Sequence, residues 1–457
     1  MIDLCLKILV VACLASVQCV PHGSADVDTA FIGQGTNDLA KALLQGFVGE
    51  DENMVYSPLG YSAVLAVFAE GSRGESREEI ATALHFPKDV NAVRLAYQSV
   101  IGDLYVKKQP NTPEFKNWFY VYKNYTVEDD LKQILEKYYL TEVKSVDRPD
   151  DYLVKKDKVE DKVSVADVDE PKVEETVQEK AGEASTSTDQ DEVMIAMQRS
   201  QDEAGTTFQR DHISGMTDSS LKIKGKDPQS QMIIFNGLHF KGDWKEPFVK
   251  KPADDTKVFY KSEKEKISVS TIHSQGEFNV ANIEALDCRA IELPYKGDRY
   301  SLLILVPNAR DGLAKLISDL SVYPINDVYK QMKTKLVDVC LPNFEMDCIS
   351  KPISSFSKLG LSKVTSIFDP EKADLSAISK EPGLYVEELV QMVSFKVDAE
   401  YSNTNFLTAS IGSLRSNYES FPINQPFLFF LKDRVNDMVI VNGKLVDPTP
   451  KPDFFSS

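Results

Sequence analysis

Between residues 37 and 105 the apolar side chains recur at helical spacing. From residue 231 onward they come in short continuous or alternating runs. The first pattern puts Leu39, Leu43, Leu44 and Phe47 on one face of a helix over 37–48. A second helix opens at Ser57-Pro58, where a hydroxyl can cap and a proline costs no hydrogen bond; it carries Val64, Leu65, Val67 and Phe68. Ser76 followed by Glu79 has capping-box spacing and predicts a third helix that ends near Phe86-Pro87. A fourth helix is predicted over 91–105 and a fifth over 131–140. Between them WFYVYKNYTV (118–127), aromatic and β-branched, predicts a strand.

The later runs read as strands. QMIIFNGLHF (231–240) is nearly continuous apolar, as a strand covered on both faces is. RAIELPY (289–295), the turn KGD and YSLLILVP (300–307) form a hairpin pattern. KLVDVCLPNF (335–344), PFLFFL (426–431) and DMVIVNGKLV (437–446) are further strands, and KPISSFSKLGL (351–361) returns to a helix. Helices gather early and strands late, without strict βαβ alternation, which predicts an α+β fold around a large mixed sheet.

Three segments stand outside this patterning. At the start, Lys7 precedes the apolar run ILVVACLA (8–15), and Val17 and Cys19 flank a cleavage position before Val20. The run is too short to cross a bilayer, so residues 1–19 read as a signal peptide and the protein as secreted. In the middle, residues 150–192 hold 15 Asp/Glu against 6 Lys, a net −9 of a chain total of −18. With so few large apolar side chains the stretch cannot offset its chain entropy and reads as an acidic disordered insertion. It lacks the D-x-[DN]-x-[DN]-G ligand pattern, so a calcium site is not favoured. Near the end, DAEYSNTNFLTASIGSLRSNYES (398–420) is a long polar stretch between two buried strands. Loops of this length in compact domains are functional or disordered.

Composition narrows the chemistry. A net charge of −18 argues against nucleic acid as a partner, and no later stretch has transmembrane length, so no membrane partner is expected. The five histidines (His22, His85, His212, His239, His273) make no H-E-x-x-H; C-x-x-C, G-x-S-x-G and phosphate-cradling glycine loops are also missing. His239 sits in an apolar strand and reads as a satisfied core residue. The chain is therefore expected not to be an enzyme and to need no cofactor and no metal. Cys5, Cys13 and Cys19 fall in the leader; Cys288, Cys340 and Cys348 remain, an odd number. Cys340 and Cys348 lie about 26 Å apart along a straight strand and cannot bridge each other there. Asn124-Tyr125-Thr126 is the sole glycosylation sequon.

Several segments, in order, resemble the serpin family of serine protease inhibitors. NMVYSPLGYSAVLAVFAEGSRGES (53–76) is similar to the family's N-V-x-x-S-P-x-S-I-x-x-A-L-A-M-L segment. YKNYTVEDDLKQILEKYYLTEVKSVD (122–147), NGLHFKGDWKEPF (236–248) and IELPYKGD (291–298) resemble its next landmarks. LPNFEMD (341–347), KLGLSKVTSIFDPEKADLSAIS (358–379), NQPFLFFL (424–431) and NGKLVDP (442–448) complete the series. The resemblance implies one serpin domain over 28–450, interrupted by 150–192 and followed by a tail, 451–457. It implies three β-sheets, eight or nine helices and an exposed reactive-site loop. It implies a monomer whose partner is a serine protease. That protease would cleave the loop and be trapped as the loop inserts into the central sheet.

The family spacing from Asp398 to Phe427 is preserved and implies a reactive bond at Arg415-Ser416, which suits a trypsin-like serine protease. The hinge departs from the family's E-E-G-T-E-A-A-A, with Ala399, Glu400, Tyr401, Ser402, Asn403, Thr404, Asn405 and Phe406 in its place. Tyr401 removes a glycine's freedom. Thr404 and Phe406 alternate onto the face of Ser402, where Phe406 would overpack by about 1–3 kcal/mol. A non-inhibitory serpin, acting as carrier, storage or interaction protein, is therefore the competing expectation. In the switch region under the sheet, Ser57 and Asn236 match the family, while Gly60 stands for a usual Ser and Gln391 for a usual His. The family's helix over the sheet is not recognisable between 148 and 230; VMIAMQRSQDEA (193–204) is the candidate replacement.

Overall fold

The computed structural model describes residues 27–46, 48, 52–106, 111–122, 126–146, 232–250, 256–350, 366–386, 388–399 and 418–449. Among these lie seven α-helices: α1 Ala30–Gln45, α2 Pro58–Gly71, α3 Gly74–Ala83, α4 Val90–Val106, α5 Asp129–Tyr138, α6 Leu313–Leu320 and α7 Ile325–Gln331. The strands are β1 Met54–Tyr56, β2 Glu114–Tyr122, β3 Thr141–Val146, β4 Met232–Lys241, β5 Thr256–Tyr260, β6 Lys266–Ile283 and β7 Cys288–Pro294. They continue as β8 Tyr300–Pro307, β9 Lys333–Pro342, β10 Phe344–Ser350, β11 Glu388–Val397, β12 Glu419–Pro422, β13 Phe427–Asp433 and β14 Met438–Leu445.

The expected α+β class holds, with the details shifted by tertiary contacts. α1 begins at Ala30, seven residues before the helical periodicity does. Its extra turns contain Gly33 and Gly35, weak helix formers kept because neighbouring backbone crowds them. A Cβ on Gly33 would lie 2.9 Å from the Asn436 carbonyl oxygen. The capping box at Ser76 and Glu79 does not form. α3 starts earlier, at Gly74. The Ser76 hydroxyl instead accepts from the Asp374 N–H (3.2 Å), and Glu79 accepts from the N–H and hydroxyl of Ser366 (3.2 and 2.7 Å). Both side chains tie a distant loop to the helix. The predicted 335–344 strand is two strands, because the chain turns at Asn343 between β9 and β10 and passes from one sheet to the other. The helix expected over 351–361 lies outside the described residues, as do 1–19, 150–192, 193–204 and 451–457.

Two sheets share the core. One has five strands in the order β10-β11-β4-β2-β3; the other runs β1-β14-β13-β8-β7-β6-β9-β12, with β5 on β6. Three sheets are implied by the family resemblance. Here the second and third are joined, because β6, 18 residues long, pairs with β5, β9 and β7 in turn. α2 packs on β4, β2 and β14, so it lies between the sheets, and every one of its residues is buried. That explains why its apolar positions run all round the helix rather than along a stripe. α1, α6 and α7 cover the other side of the second sheet through Leu44, Ile317, Val328, Leu303, Leu305 and Phe430.

Candidate functional site

The five-stranded sheet has a seam. β4 and β11 pair in parallel, register Glu388↔Ile233 to Lys396↔Lys241, while each is antiparallel to its other neighbour, β2 and β10. Parallel ladders are slightly weaker per residue than antiparallel ones. The C-terminal ends of β4 and β11 lie side by side. A strand turning back after β11 would therefore run antiparallel to both, replacing one parallel ladder by two antiparallel ones.

Beneath the seam the sequence-predicted switch residues Ser57, Asn236 and Gln391 meet, all fully buried. Gln391 and Asn236 are register partners on β11 and β4, and Asn117 on β2 continues the row. Ser57 caps α2: its hydroxyl accepts from the Gly60 N–H (3.0 Å) and donates to the Ile440 carbonyl (2.8 Å). The Ser57 N–H donates to Gln391 Oε1 (2.8 Å), and Gln391 Nε2 donates to the Ser57 carbonyl (2.9 Å). Asn236 Nδ2 donates to Asn117 Oδ1 (2.8 Å). Across the seam, Gln391 Nε2 donates to Asn236 Oδ1 (3.1 Å). The cluster thus divides into two halves. Parting β4 from β11 breaks the parallel main-chain ladder and, with it, this side-chain hydrogen bond, worth about 1 kcal/mol. Tyr61 of α2 also meets Ser350 of β10, oxygen to oxygen at 2.7 Å.

Gly60 belongs to the same geometry. A Cβ there would lie 1.9 Å from Asn236 Oδ1 and 2.6 Å from Gln391 Nε2. The two amides fill the volume that a residue-60 side chain would need. The glycine at 60 and the glutamine at 391 are therefore one arrangement rather than two separate departures from the family pattern.

Both ends of the polar stretch are fastened. At the exit from β11, the Trp244 indole N–H donates to the Asp398 carbonyl (3.0 Å), and Lys250 Nζ lies 3.3 Å from Asp398 Oδ1. Trp244 is held by stacking on Tyr295 at 4.3 Å. Ala399 is half-buried against the core. At the return, β12 pairs in parallel with β9, and Ile423 N–H donates to the Cys340 carbonyl (2.8 Å). Lys335 pairs with Glu419 (2.8 Å), and the Arg289 guanidinium lies over the Phe421 ring (4.9 Å). Sequence reasoning missed Asn117, Trp244 and Lys250; Trp244 and Lys250 follow β4 by only a few residues, but nothing local marks them as partners of Asp398.

The remaining expected site residues lie outside the described residues: Glu400, Tyr401, Ser402, Thr404, Phe406, Arg415, Ser416 and the sequon residue Asn124. His239, expected in the core, is only half-buried, on β4 opposite Glu114 and Ser394. Cys288, Cys340 and Cys348 are thiols, and Cys340 and Cys348 stand on strands of different sheets. Among the described residues no group of three or more His, Cys, Asp or Glu could hold a metal ion, and no helix is long and apolar enough to cross a membrane.

Comparisons with known proteins agree with this architecture. The chain matches the family model for serpins, serine protease inhibitors, over residues 34–188 and 207–448. It is 26% identical to the leukocyte elastase inhibitor of Equus caballus over 87% of this chain and 93% of that protein. It is 25% identical to plasminogen activator inhibitor 1 of Neovison vison, over 87% and 88% respectively. Among solved structures, mouse protein Z-dependent protease inhibitor superposes with a TM-score of 0.71 at 17% identity, covering 92% of this chain and 98% of that one. Serpin48 of Tenebrio molitor superposes at 0.67 with 22% identity, covering 92% and 98%. The chain belongs to the serpin family, whose members are in general inhibitors of proteases rather than enzymes.

Proposed function

We propose that this serpin is a secreted, monomeric inhibitor of a trypsin-like serine protease, with Arg415-Ser416 as its reactive bond. The observation that carries the reading is the seam. β4 and β11 pair directly, with the polar stretch leaving from the C-terminal end of β11. Cleavage between Arg415 and Ser416 would free the front part of that stretch to turn back into the seam. The protease serine would then be esterified to the Arg415 carbonyl, with the Ser416 amine as leaving group. Exchanging the parallel β4–β11 ladder for two antiparallel ones supplies the driving force, and the Gln391–Asn236 side-chain hydrogen bond under the seam opposes it. At the seam, the buried Ser394 Oγ on β11 has no hydrogen-bond partner among the described residues. Such groups cost about 1–3 kcal/mol each and favour any rearrangement that meets them. The leader read at 1–19 and the sequon at Asn124 support an extracellular setting.

The second reading, a non-inhibitory serpin, is favoured by Tyr401 and Phe406 in the hinge. Incubation with trypsin separates the two. Inhibition gives a complex that survives denaturing electrophoresis, and Arg415→Ala abolishes it. Clean cleavage after Arg415 without a complex supports the second reading. Failure of Arg415→Ala to reduce cleavage between 415 and 416 more than Arg434→Ala does would remove Arg415 as the determinant.

A further inference from the structure

A thiol and an imidazole face each other away from the seam. Cys340 on β9 is the register partner of His273 on β6, and on its other side of Pro422 on β12. Cys340 Sγ lies 3.8 Å from His273 Nε2, and the same nitrogen lies 3.1 Å from Thr271 Oγ1. His273 is 7% exposed, so the ring is held in place, while Cys340 is half-buried. The other two thiols differ. Cys288 is buried, and desolvation, with Asp287 nearby, pushes its pKa up to about 12. Cys348 is half-buried on β10, in the other sheet.

We propose that Cys340 is a modification site, a thiol that forms a mixed disulfide with a small dissolved disulfide such as oxidised glutathione, with His273 as its proton acceptor. In the step, His273 Nε2 takes the thiol proton and Cys340 Sγ attacks one sulfur of the small disulfide. A new S–S bond forms as the old one breaks. The departing thiolate recovers the proton, so Cys340 is oxidised and one glutathione is reduced. The site bears on the loop's return strand. The Cys340 carbonyl receives the Ile423 N–H, and Pro422 lies directly alongside. Bulk on this residue loads the contact that holds β12 on β9. The inference does not depend on whether the protein inhibits a protease.

The test is peptide mass spectrometry of the full chain after timed incubation with oxidised glutathione. Glutathionylation of Cys340 is expected about tenfold faster than of Cys348, with Cys288 unmodified until the protein is unfolded. His273→Gln, checked for an unchanged melting temperature, is expected to slow Cys340 about tenfold and leave Cys348 alone. Should His273→Gln lower the melting temperature, Thr271→Val with His273 intact serves as the folded control and keeps the fast rate. Equal rates at Cys340 and Cys348, or no slowing in His273→Gln, would overturn the assignment. Amide hydrogen exchange at Phe421 and Ile423 is expected to speed up in the modified protein; unchanged exchange there would overturn the link to β12.

Discussion

At the scale of single residues, Gly60 shows how a small departure in sequence acquires a reason in space. The α-hydrogen that a side chain would replace faces the amides of Asn236 and Gln391, so even a methyl group has nowhere to go. Gly60→Ala is expected to destabilise the protein by about 1–3 kcal/mol through overpacking, lowering the melting temperature by several degrees. Asn236→Ala removes the atoms at 1.9 and 2.6 Å from the new carbon. The double variant is therefore expected to lose less than the sum of the two single losses, and additive losses in thermal unfolding would show that the clash is relieved elsewhere. The sequence announced Ser57, Asn236 and Gln391 as a polar set through family resemblance. Asn117 could not be read there, since an asparagine in an aromatic strand carries no local mark and its role comes from cross-strand register alone.

At the scale of elements, what was legible depended on whether a signal acts locally. α2 was readable because Ser57-Pro58 is a cap built from adjacent residues, and β8 matched its predicted bounds because a continuous apolar run leaves little choice. α3 forms as expected but starts earlier, because Ser76 and Glu79 have the spacing of a local cap yet bond to a segment nearly 300 positions away. This gives a discriminating experiment. Glu79→Ala removes a carboxylate that accepts two hydrogen bonds from Ser366, a loss of about 1.5–3 kcal/mol. Amide hydrogen exchange should accelerate at Ser366 and its neighbours rather than in the first turn of α3. Acceleration confined to the α3 N-terminus would restore the capping-box reading. The β9–β10 boundary was missed for a related reason, since a one-residue turn between strands in different sheets leaves the apolar pattern unbroken.

At the scale of the whole molecule, the arrangement of two sheets around α2 leaves one ladder that can be exchanged for two. The order of motifs made the family and the α+β class readable from sequence. The directness of the β4–β11 pairing was not, because register between strands some 150 residues apart is a property of the assembled sheet. The decisive quantity is the stability gained when the polar stretch is cut. A returning strand that enters the seam adds main-chain hydrogen bonds along β4 and β11, so a competent hinge should raise the melting temperature sharply after cleavage at Arg415. Under the proposed function Tyr401 and Phe406 would work against entry, the first by removing a glycine's freedom and the second by adding bulk. We expect a reduced gain for the native sequence and a larger one for the Tyr401→Gly, Phe406→Ala double variant, measured by calorimetry before and after cleavage. The uncleaved forms should melt alike if these residues act only on entry. A full jump in the native protein, with nothing added by the variant, would mean that Tyr401 and Phe406 are accommodated in the opened seam and that the hinge does not limit inhibition.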